Sequence, residues 1–147
     1  MEVGHIGVWV KNLEIMRRFY EEILGGRAGR LYRNSKTGFS SYFVRFGPGA
    51  AVELMHRGDI PAADVSAASG EAAGYAHIAF EMGTRAQVDA VTRRLEALGL
   101  SRLSGPRVTG DGYYESCFAD PEGNRLEFTA DASAADASAA GTATAGT

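Results

Sequence analysis

Two histidines and two glutamates stand at matching positions of a chain that repeats itself, and they are the residues best suited to chemistry. Glu53 follows His5 by 48 positions, and Glu127 follows His77 by 50. Two imidazoles and two carboxylates form a mixed nitrogen and oxygen ligand set that suits Ni, Zn, Fe, Co or Mn. The two carboxylates also neutralise a divalent ion and ease its burial. The four residues therefore predict a site for one divalent metal ion.

The first half of the chain, residues 1–56, is predicted to be a βαβββ module. Alternation of apolar and polar residues predicts a strand at residues 3–10. Asn12 is a good N-cap for a helix that ends at Gly25-Gly26. The apolar stripe of this helix is Ile15, Met16, Phe19, Tyr20 and Ile23. Strand-like runs follow at 28–33, 41–46 and 50–55. A glutamate central in the last run is costly to bury unless it is paired, protonated or metal-bound.

The second half, residues 75–130, repeats this order after a linker at 57–74 that is rich in small and acidic residues. Its first strand opens at Tyr75, and Thr84 with Gln87 forms a capping box at the start of a helix. The apolar stripe of that helix is Val88, Val91, Leu95 and Leu98. Strands are predicted at 102–108, 113–119 and 125–129. The tail at 131–147 has too few apolar residues to offset its ordering entropy and is predicted to be disordered.

Composition restricts the class of protein. The net charge is −3 and no long basic run occurs, which argues against nucleic acid or an anionic membrane surface as a partner. No apolar run approaches the roughly 20 residues of a membrane-spanning helix. Met1-Glu2-Val3 lacks the layout of a signal peptide, and the single Cys117 fits a reducing compartment as a small core residue. We therefore expect a cytoplasmic protein.

The repeat itself predicts how the candidate ligands meet. A βαβββ module is about the size of a supersecondary unit that must pair with another to bury its sheet. Curved sheets related by a pseudo-twofold axis would bring the four equivalent positions together. The expected fold is α+β, with two βαβββ repeats forming curved mixed sheets around a metal-binding groove.

The two His-Ile openings, together with the turn Asp120-Pro121-Glu122-Gly123-Asn124 before Leu126-Glu127-Phe128, resemble the vicinal oxygen chelate superfamily. This superfamily contains glyoxalase I, methylmalonyl-CoA epimerase, extradiol dioxygenases, fosfomycin resistance enzymes and bleomycin-binding proteins. The resemblance covers roughly residues 3–130. By resemblance, His5, Glu53, His77 and Glu127 match the four metal ligands of glyoxalase I.

The resemblance implies a metal-dependent lyase or isomerase that removes a proton α to a carbonyl and stabilises an enediolate on a small substrate with vicinal oxygens. Glu127 is the first candidate for the catalytic base and Glu53 the second. Two alternatives remain open, an extradiol-type dioxygenase and a non-catalytic antibiotic- or metabolite-binding protein. Glu53 argues against the dioxygenase, because a fourth protein ligand occupies a position needed for substrate or oxygen. Trp9, Tyr42, Phe43 and Tyr113 would matter more than the metal in a binding protein.

Other expectations concern the surroundings of the site. No match to the glutathione-binding residues of glyoxalase I is found in the sequence. His56 lies on the opposite strand face from Glu53 and is excluded from the ligand set. Superfamily members commonly form dimers, and the resemblance therefore implies a homodimer. Ordinary packing or solvation is the better explanation for five candidate cavity residues, Tyr42, Arg45, Arg107, Tyr113 and Tyr114.

Overall fold

The computed structural model describes residues 1–62 and 73–134 of the chain. The chain divides into two compact units, Met1–Gly70 and Glu71–Thr147, each with one mixed sheet and one α-helix packed on it. The predicted α+β fold built from βαβββ repeats is confirmed. Part of the predicted linker, 63–72, and most of the predicted disordered tail, 135–147, lie outside the described residues.

Within residues 1–62, the first unit contains five strands. In chain order its elements are β1 (His5–Trp9), α1 (Leu13–Arg18), a π-helical turn (Phe19–Ile23), β2 (Arg27–Ala28), β3 (Tyr32–Asn34), β4 (Phe39–Arg45) and β5 (Ala51–His56). The sheet order is β1-β5-β4-β2, with β3 also pairing with β4. β1 and β5 run parallel, and the remaining pairs are antiparallel.

The described part of the second unit, residues 73–134, contains four strands. Its elements are β6 (Ile78–Glu81), α2 (Arg85–Ala97), β7 (Arg102–Val108), β8 (Tyr113–Ala119) and β9 (Arg125–Asp131). The sheet order is β6-β9-β8-β7, and only the β6–β9 pair within it is parallel. The first and last strands of each unit are therefore parallel neighbours, which fixes where residues of those two strands face each other.

Side-chain caps begin both helices as predicted. The Asn12 side chain accepts a hydrogen bond from the backbone N–H of Ile15, and the Thr84 side chain accepts one from Gln87. Gly25 and Gly99 follow the helical segments with φ of 79° and 78°, the left-handed conformation that glycine adopts without a steric penalty.

One face of each sheet is buried beneath its helix. In the first unit the buried side chains include Met16, Tyr20, Val44 and Leu54. In the second unit they include Val88, Leu95, Phe118, Leu126 and Phe128. The opposite face of each sheet carries the predicted ligands and is more exposed. Among the described residues, no helix is long and apolar enough to span a membrane.

Several predicted details were wrong. The single strand at 28–33 is two short strands, β2 and β3. Ile15 is more than half exposed, because the buried stripe of α1 starts at Leu13 and continues through Met16. Leu98 is also more than half exposed, and Thr92 takes a buried position on α2. The second half's first strand begins at Ile78, and Tyr75 is almost fully exposed. β9 continues to Asp131, two residues beyond the predicted end.

Candidate metal site in two matching halves

The first histidine–glutamate pair lies on the open face of the first unit. Parallel pairing of β1 with β5 places Glu53 opposite Gly7. Gly7 lies two residues after His5 on β1. Residues two apart on a strand point to the same face, and His5 therefore reaches Glu53 diagonally across the two strands. His5 Nε2 lies 3.5 Å from Glu53 Oε2. The imidazole also contacts the Phe43 ring edge to face, with centroids 5.2 Å apart.

The second pair repeats this arrangement in the second unit. Parallel pairing of β6 with β9 places Glu127 opposite Ala79, again two residues after the histidine. His77 Nε2 lies 2.8 Å from Glu127 Oε2. In both units a small residue faces the glutamate, and both carboxylates are mostly buried while both imidazoles are 40% exposed or more. The two halves therefore present the same ligand geometry to solvent.

The geometry of each pair fits two neighbouring ligands of one cation. Two atoms bound about 2.1 Å from a divalent ion lie about 3.0 Å apart at a right angle and about 3.4 Å apart at the tetrahedral angle. The distances in the two pairs, 2.8 Å and 3.5 Å, are close to this range. Imidazole nitrogen with carboxylate oxygen is also a donor set of suitable chemistry.

Each pair alone is an incomplete metal site. A stable site for these ions takes about three or four protein ligands. Within residues 1–62 and 73–134, no group of three or more His, Cys, Asp and Glu side chains is arranged to hold a metal ion. The structure therefore places His5 with Glu53 and His77 with Glu127, and each unit supplies two of the four predicted ligands.

Glu115 is a neighbour of Glu127 that sequence analysis did not identify as a candidate. It lies on β8 opposite Thr129, and Glu127 lies opposite Cys117, so the two glutamates are diagonal neighbours on one face. Arg107 Nη2 donates to Glu115 Oε1 at 3.1 Å. A hydrogen bond with Glu127, together with burial, raises the pKa of Glu115 to about 7, because two nearby carboxylates resist being charged together.

Only the register of two antiparallel strands reveals this contact. Glu115 and Glu127 are twelve positions apart, and nothing in their separate strands marks them as neighbours. The one sequence signal was alternation, which places Glu115 on the same face of β8 as Tyr113 and Cys117.

Three further residues, Tyr42, Tyr114 and His56, have structural partners. Tyr42 Oη donates to Glu14 Oε1 at 2.8 Å, and Tyr114 Oη donates to Asp89 Oδ1 at 2.7 Å, so both tyrosines tie a strand to its helix. His56 Nδ1 lies 3.0 Å from the carbonyl oxygen of Val10, away from the His5–Glu53 pair. Cys117 is buried as predicted, and that burial raises the pKa of its thiol.

Comparison with known proteins identifies relatives of the chain. The family model described as Glyoxalase/Bleomycin resistance protein/Dioxygenase superfamily matches residues 2–128. Among curated proteins nothing matches.

Solved structures share the fold over most of the chain. An integron cassette protein from the mobile metagenome of Halifax Harbour sewage outfall is 30% identical, with a TM-score of 0.64, over 87% of this chain and 97% of its own. The trypanothione-dependent glyoxalase I of Leishmania major is 18% identical, with a TM-score of 0.70, over 89% and 87% of the two chains. The fosfomycin resistance protein FosX from Listeria monocytogenes, complexed with Mn(II), is 20% identical, with a TM-score of 0.63, over 87% and 90%.

Proposed function

The chain belongs to the glyoxalase/bleomycin resistance protein/dioxygenase superfamily, and from that premise we propose that it is a metal-dependent, glyoxalase-like lyase or isomerase. The observation that carries the proposal is the matching diagonal geometry of His5 with Glu53 and His77 with Glu127. One divalent ion, Ni, Zn, Fe, Co or Mn, would be held by these four residues. The related FosX, which binds Mn(II), supports the choice of ion.

The proposed reaction begins with removal of a proton from the carbon next to a carbonyl group. The C–H bond breaks and the proton moves to a carboxylate oxygen of Glu127. The C–H electron pair forms a C=C bond to the carbonyl carbon, and the carbonyl π pair moves onto the carbonyl oxygen to give an enediolate. Return of this proton from Glu127 to the former carbonyl carbon, with transfer of the hydroxyl proton of the adjacent carbon to the new alkoxide oxygen, moves the carbonyl group to that adjacent carbon and completes an isomerisation. A bound cation supplies positive charge where negative charge develops.

Glu127 is the proposed base and Glu53 the second candidate. The residues directly opposite Glu127 on the neighbouring strands are Ala79 and Cys117, and both are small. Glu53 is bordered by Gly7 and Phe43, and the Phe43 ring packs against His5 on that side. The small residues opposite Glu127 favour it as the group that meets the substrate.

Metal content tests the first part of the proposal. Protein loaded with each candidate ion and freed of excess should hold about one ion per chain by elemental analysis. His5→Ala and His77→Ala should each lower that content at least tenfold. His56→Ala is the matched control and should retain the ion, because His56 bonds to Val10 and not to either pair. Wild-type protein that holds no stoichiometric ion under any of these conditions would overturn the proposal.

Proton exchange tests the second part. Loaded protein incubated in D₂O with the thiol adduct of a 2-oxoaldehyde should incorporate deuterium at the carbon α to the carbonyl. Glu127→Gln should lower the rate by about 10² or more, the usual contribution of a positioned base. If Glu53→Gln has the larger effect on exchange at equal metal content, the roles of the two glutamates are reversed.

The same preparation separates the alternative functions. Oxygen consumption with catechol after anaerobic Fe(II) loading would identify a dioxygenase in place of an isomerase. Stoichiometric ligand binding that survives chelation without turnover would identify a binding protein.

We also propose that the chain forms a homodimer, and mixed variants test whether the partner contributes to the metal site. If each site combines the first unit of one protomer with the second unit of its partner, dimers reassembled from His5→Ala and His77→Ala chains recover roughly a quarter of the wild-type metal. Sites built within one chain recover none. A monomer by light scattering would overturn the dimer.

A further inference from the structure

An aromatic cluster borders the first histidine–glutamate pair on the open face of its sheet. Trp9, Met55, Ser41 and Tyr32 lie in one row across β1, β5, β4 and β3. The Phe39 ring contacts both Trp9 and Tyr32, with centroids 5.9 Å and 6.1 Å away. Trp9 and Tyr32 remain 41% and 53% exposed, so the structure leaves ring surface open to solvent.

We propose that this cluster is a subsite for a planar aromatic ring, and that the substrate is therefore an aryl compound carrying vicinal oxygens. The inference rests on the proposed function, because the vicinal oxygens are assigned to the metal site. The occupant of the exposed face is a small aromatic ligand.

Spacing along the strands supports this ligand class. Met55 lies two residues after Glu53 on β5, and the two rows of side chains are therefore about 7 Å apart. That distance suits an aromatic ring that is bonded directly to a two-carbon group carrying the vicinal oxygens. The Met55 side chain, which lies against Gly7 between these rows, is flexible and can adapt to the ring.

An unpaired hydroxyl supplies a second, independent observation. Ser41 is 1% exposed, and its Oγ has no hydrogen-bond partner among the described residues. Buried polar groups are almost always paired, since leaving one unpaired costs roughly 1–3 kcal/mol. Ser41 lies between Met55 and Tyr32 on the same face as Trp9. A hydroxyl on the ligand's ring would satisfy it.

The edges of the cluster fit an aromatic ring better than an aliphatic chain. Trp9 and Phe39 meet at an interplanar angle of 89°, an edge-to-face geometry that a further ring can extend. The guanidinium of Arg57 lies 5.7 Å from the Trp9 centroid and is paired with Asp59. Arg57 thereby covers part of the indole, and the ring surface that stays exposed is left for the ligand.

Trp9 is the chain's single tryptophan, and its emission therefore reports on this cluster alone. The probes are mandelate, its saturated analogue hexahydromandelate, and lactate, which share one vicinal-oxygen head. Zinc-loaded protein should bind mandelate roughly fivefold to tenfold more tightly than hexahydromandelate, as expected for one added aromatic contact. Mandelate should also change Trp9 emission, and lactate should not.

Variants locate the effect. Phe39→Leu should remove the preference for mandelate while leaving lactate affinity and zinc content unchanged. Tyr75→Leu, the matched control at an almost fully exposed aromatic residue, should leave the preference intact. Among ring-hydroxylated mandelates, at least one isomer should bind more tightly than mandelate itself, and Ser41→Ala should abolish that gain.

The outcomes separate the subsite from the proposed function. If zinc-loaded protein binds mandelate and hexahydromandelate equally, the aromatic subsite is wrong and the metal site is unaffected. If the protein binds no metal but mandelate still changes Trp9 emission in preference to hexahydromandelate, the subsite is supported and the proposed function fails. A third outcome is that no aryl ligand alters Trp9 emission and that acrylamide does not reach the Trp9 ring in solution. Protein would then cover this face, and the aromatic subsite would be overturned.

Discussion

The Glu115 carboxyl is hydrogen-bonded to Glu127, its diagonal neighbour across β8 and β9. Two carboxyl groups can share such a bond only when one of them holds a proton. Arg107 pairs with the other side of Glu115 and favours the charged form, but the pKa of Glu115 still rises to about 7. Glu127, the proposed base, therefore has a second carboxyl group as a hydrogen-bonding neighbour. Sequence analysis did not detect this neighbour.

The stability of metal-free protein should consequently depend on this pair. The pKa of Glu115 is near 4.5 in the unfolded chain and about 7 in the folded chain, so folding takes up a proton between these values. The stabilisation is complete below pH 4.5 and is lost as the pH rises through 7. We expect the free energy of unfolding of chelator-treated protein to fall by about 1–3 kcal/mol from pH 5 to pH 8.

Urea unfolding of Glu115→Gln checks this expectation. The variant should lose most of the fall between pH 5 and pH 8, because the neutral amide donates to Glu127 at either pH. Glu22→Gln, an exposed glutamate of the first unit, should keep the wild-type dependence. A Glu115→Gln curve parallel to wild type would show that another group titrates.

Tyr42 and Tyr114 should ionise at a higher pH than an ordinary tyrosine. Each donates a hydrogen bond to a carboxylate on the helix of its own unit, and that bond raises the pKa of the phenol above its usual value of 10. The stabilisation from each bond is complete below pH 10 and is lost as the pH rises through the raised value. Ultraviolet titration of the six-tyrosine chain should therefore show that Tyr42 and Tyr114 are among the groups that form tyrosinate above the usual pKa.

Matched variants assign these two groups. Tyr42→Phe and Tyr114→Phe should each remove one such group, and Glu14→Gln or Asp89→Asn should lower the pKa of its partner tyrosine towards the usual value. Titration curves that these four substitutions leave unchanged would contradict the assignment.

Gly105 should tolerate no side chain. Its φ is 75°, and an added Cβ would lie 2.3 Å from the Glu115 carbonyl oxygen and 2.9 Å from Ser116 Cα. Backbone atoms cannot yield as a flexible side chain does, and we expect Gly105→Ala to lower the free energy of unfolding by about 3 kcal/mol or more. Gly110→Ala is the control, since a Cβ added at Gly110 would meet nothing within 4 Å. Equal urea midpoints for the two variants would refute the steric argument.

Sequence reasoning succeeded where the determinants are local. β7 and β8 have the predicted bounds, Arg102–Val108 and Tyr113–Ala119, because alternation and glycine-rich turns mark their ends. The histidine–glutamate pairs were also accessible, because a repeat at nearly equal spacing implies equivalent places in two sheets. The residues that pair between neighbouring strands could not be predicted from the sequence. Tyr75 lies outside β6 because β9 begins only at Arg125 and leaves the residues before His77 without a partner.

A buried hydroxyl pair between α2 and β8 provides the last prediction. Thr92 Oγ1 donates to the carbonyl oxygen of Val88 at 2.7 Å, so it must accept from Ser116 Oγ, which is also 2.7 Å away. Thr92→Val leaves the Ser116 hydroxyl without its acceptor and should cost about 1–3 kcal/mol. Ser116→Ala leaves the Thr92 donation to Val88 intact and should cost about 1 kcal/mol or less. The double variant should cost less than the sum of the single variants, by about 0.5–1.5 kcal/mol. Urea unfolding of the four proteins measures this coupling, with exposed Ser101→Ala as the control, and additive costs would show that the two hydroxyls do not depend on each other.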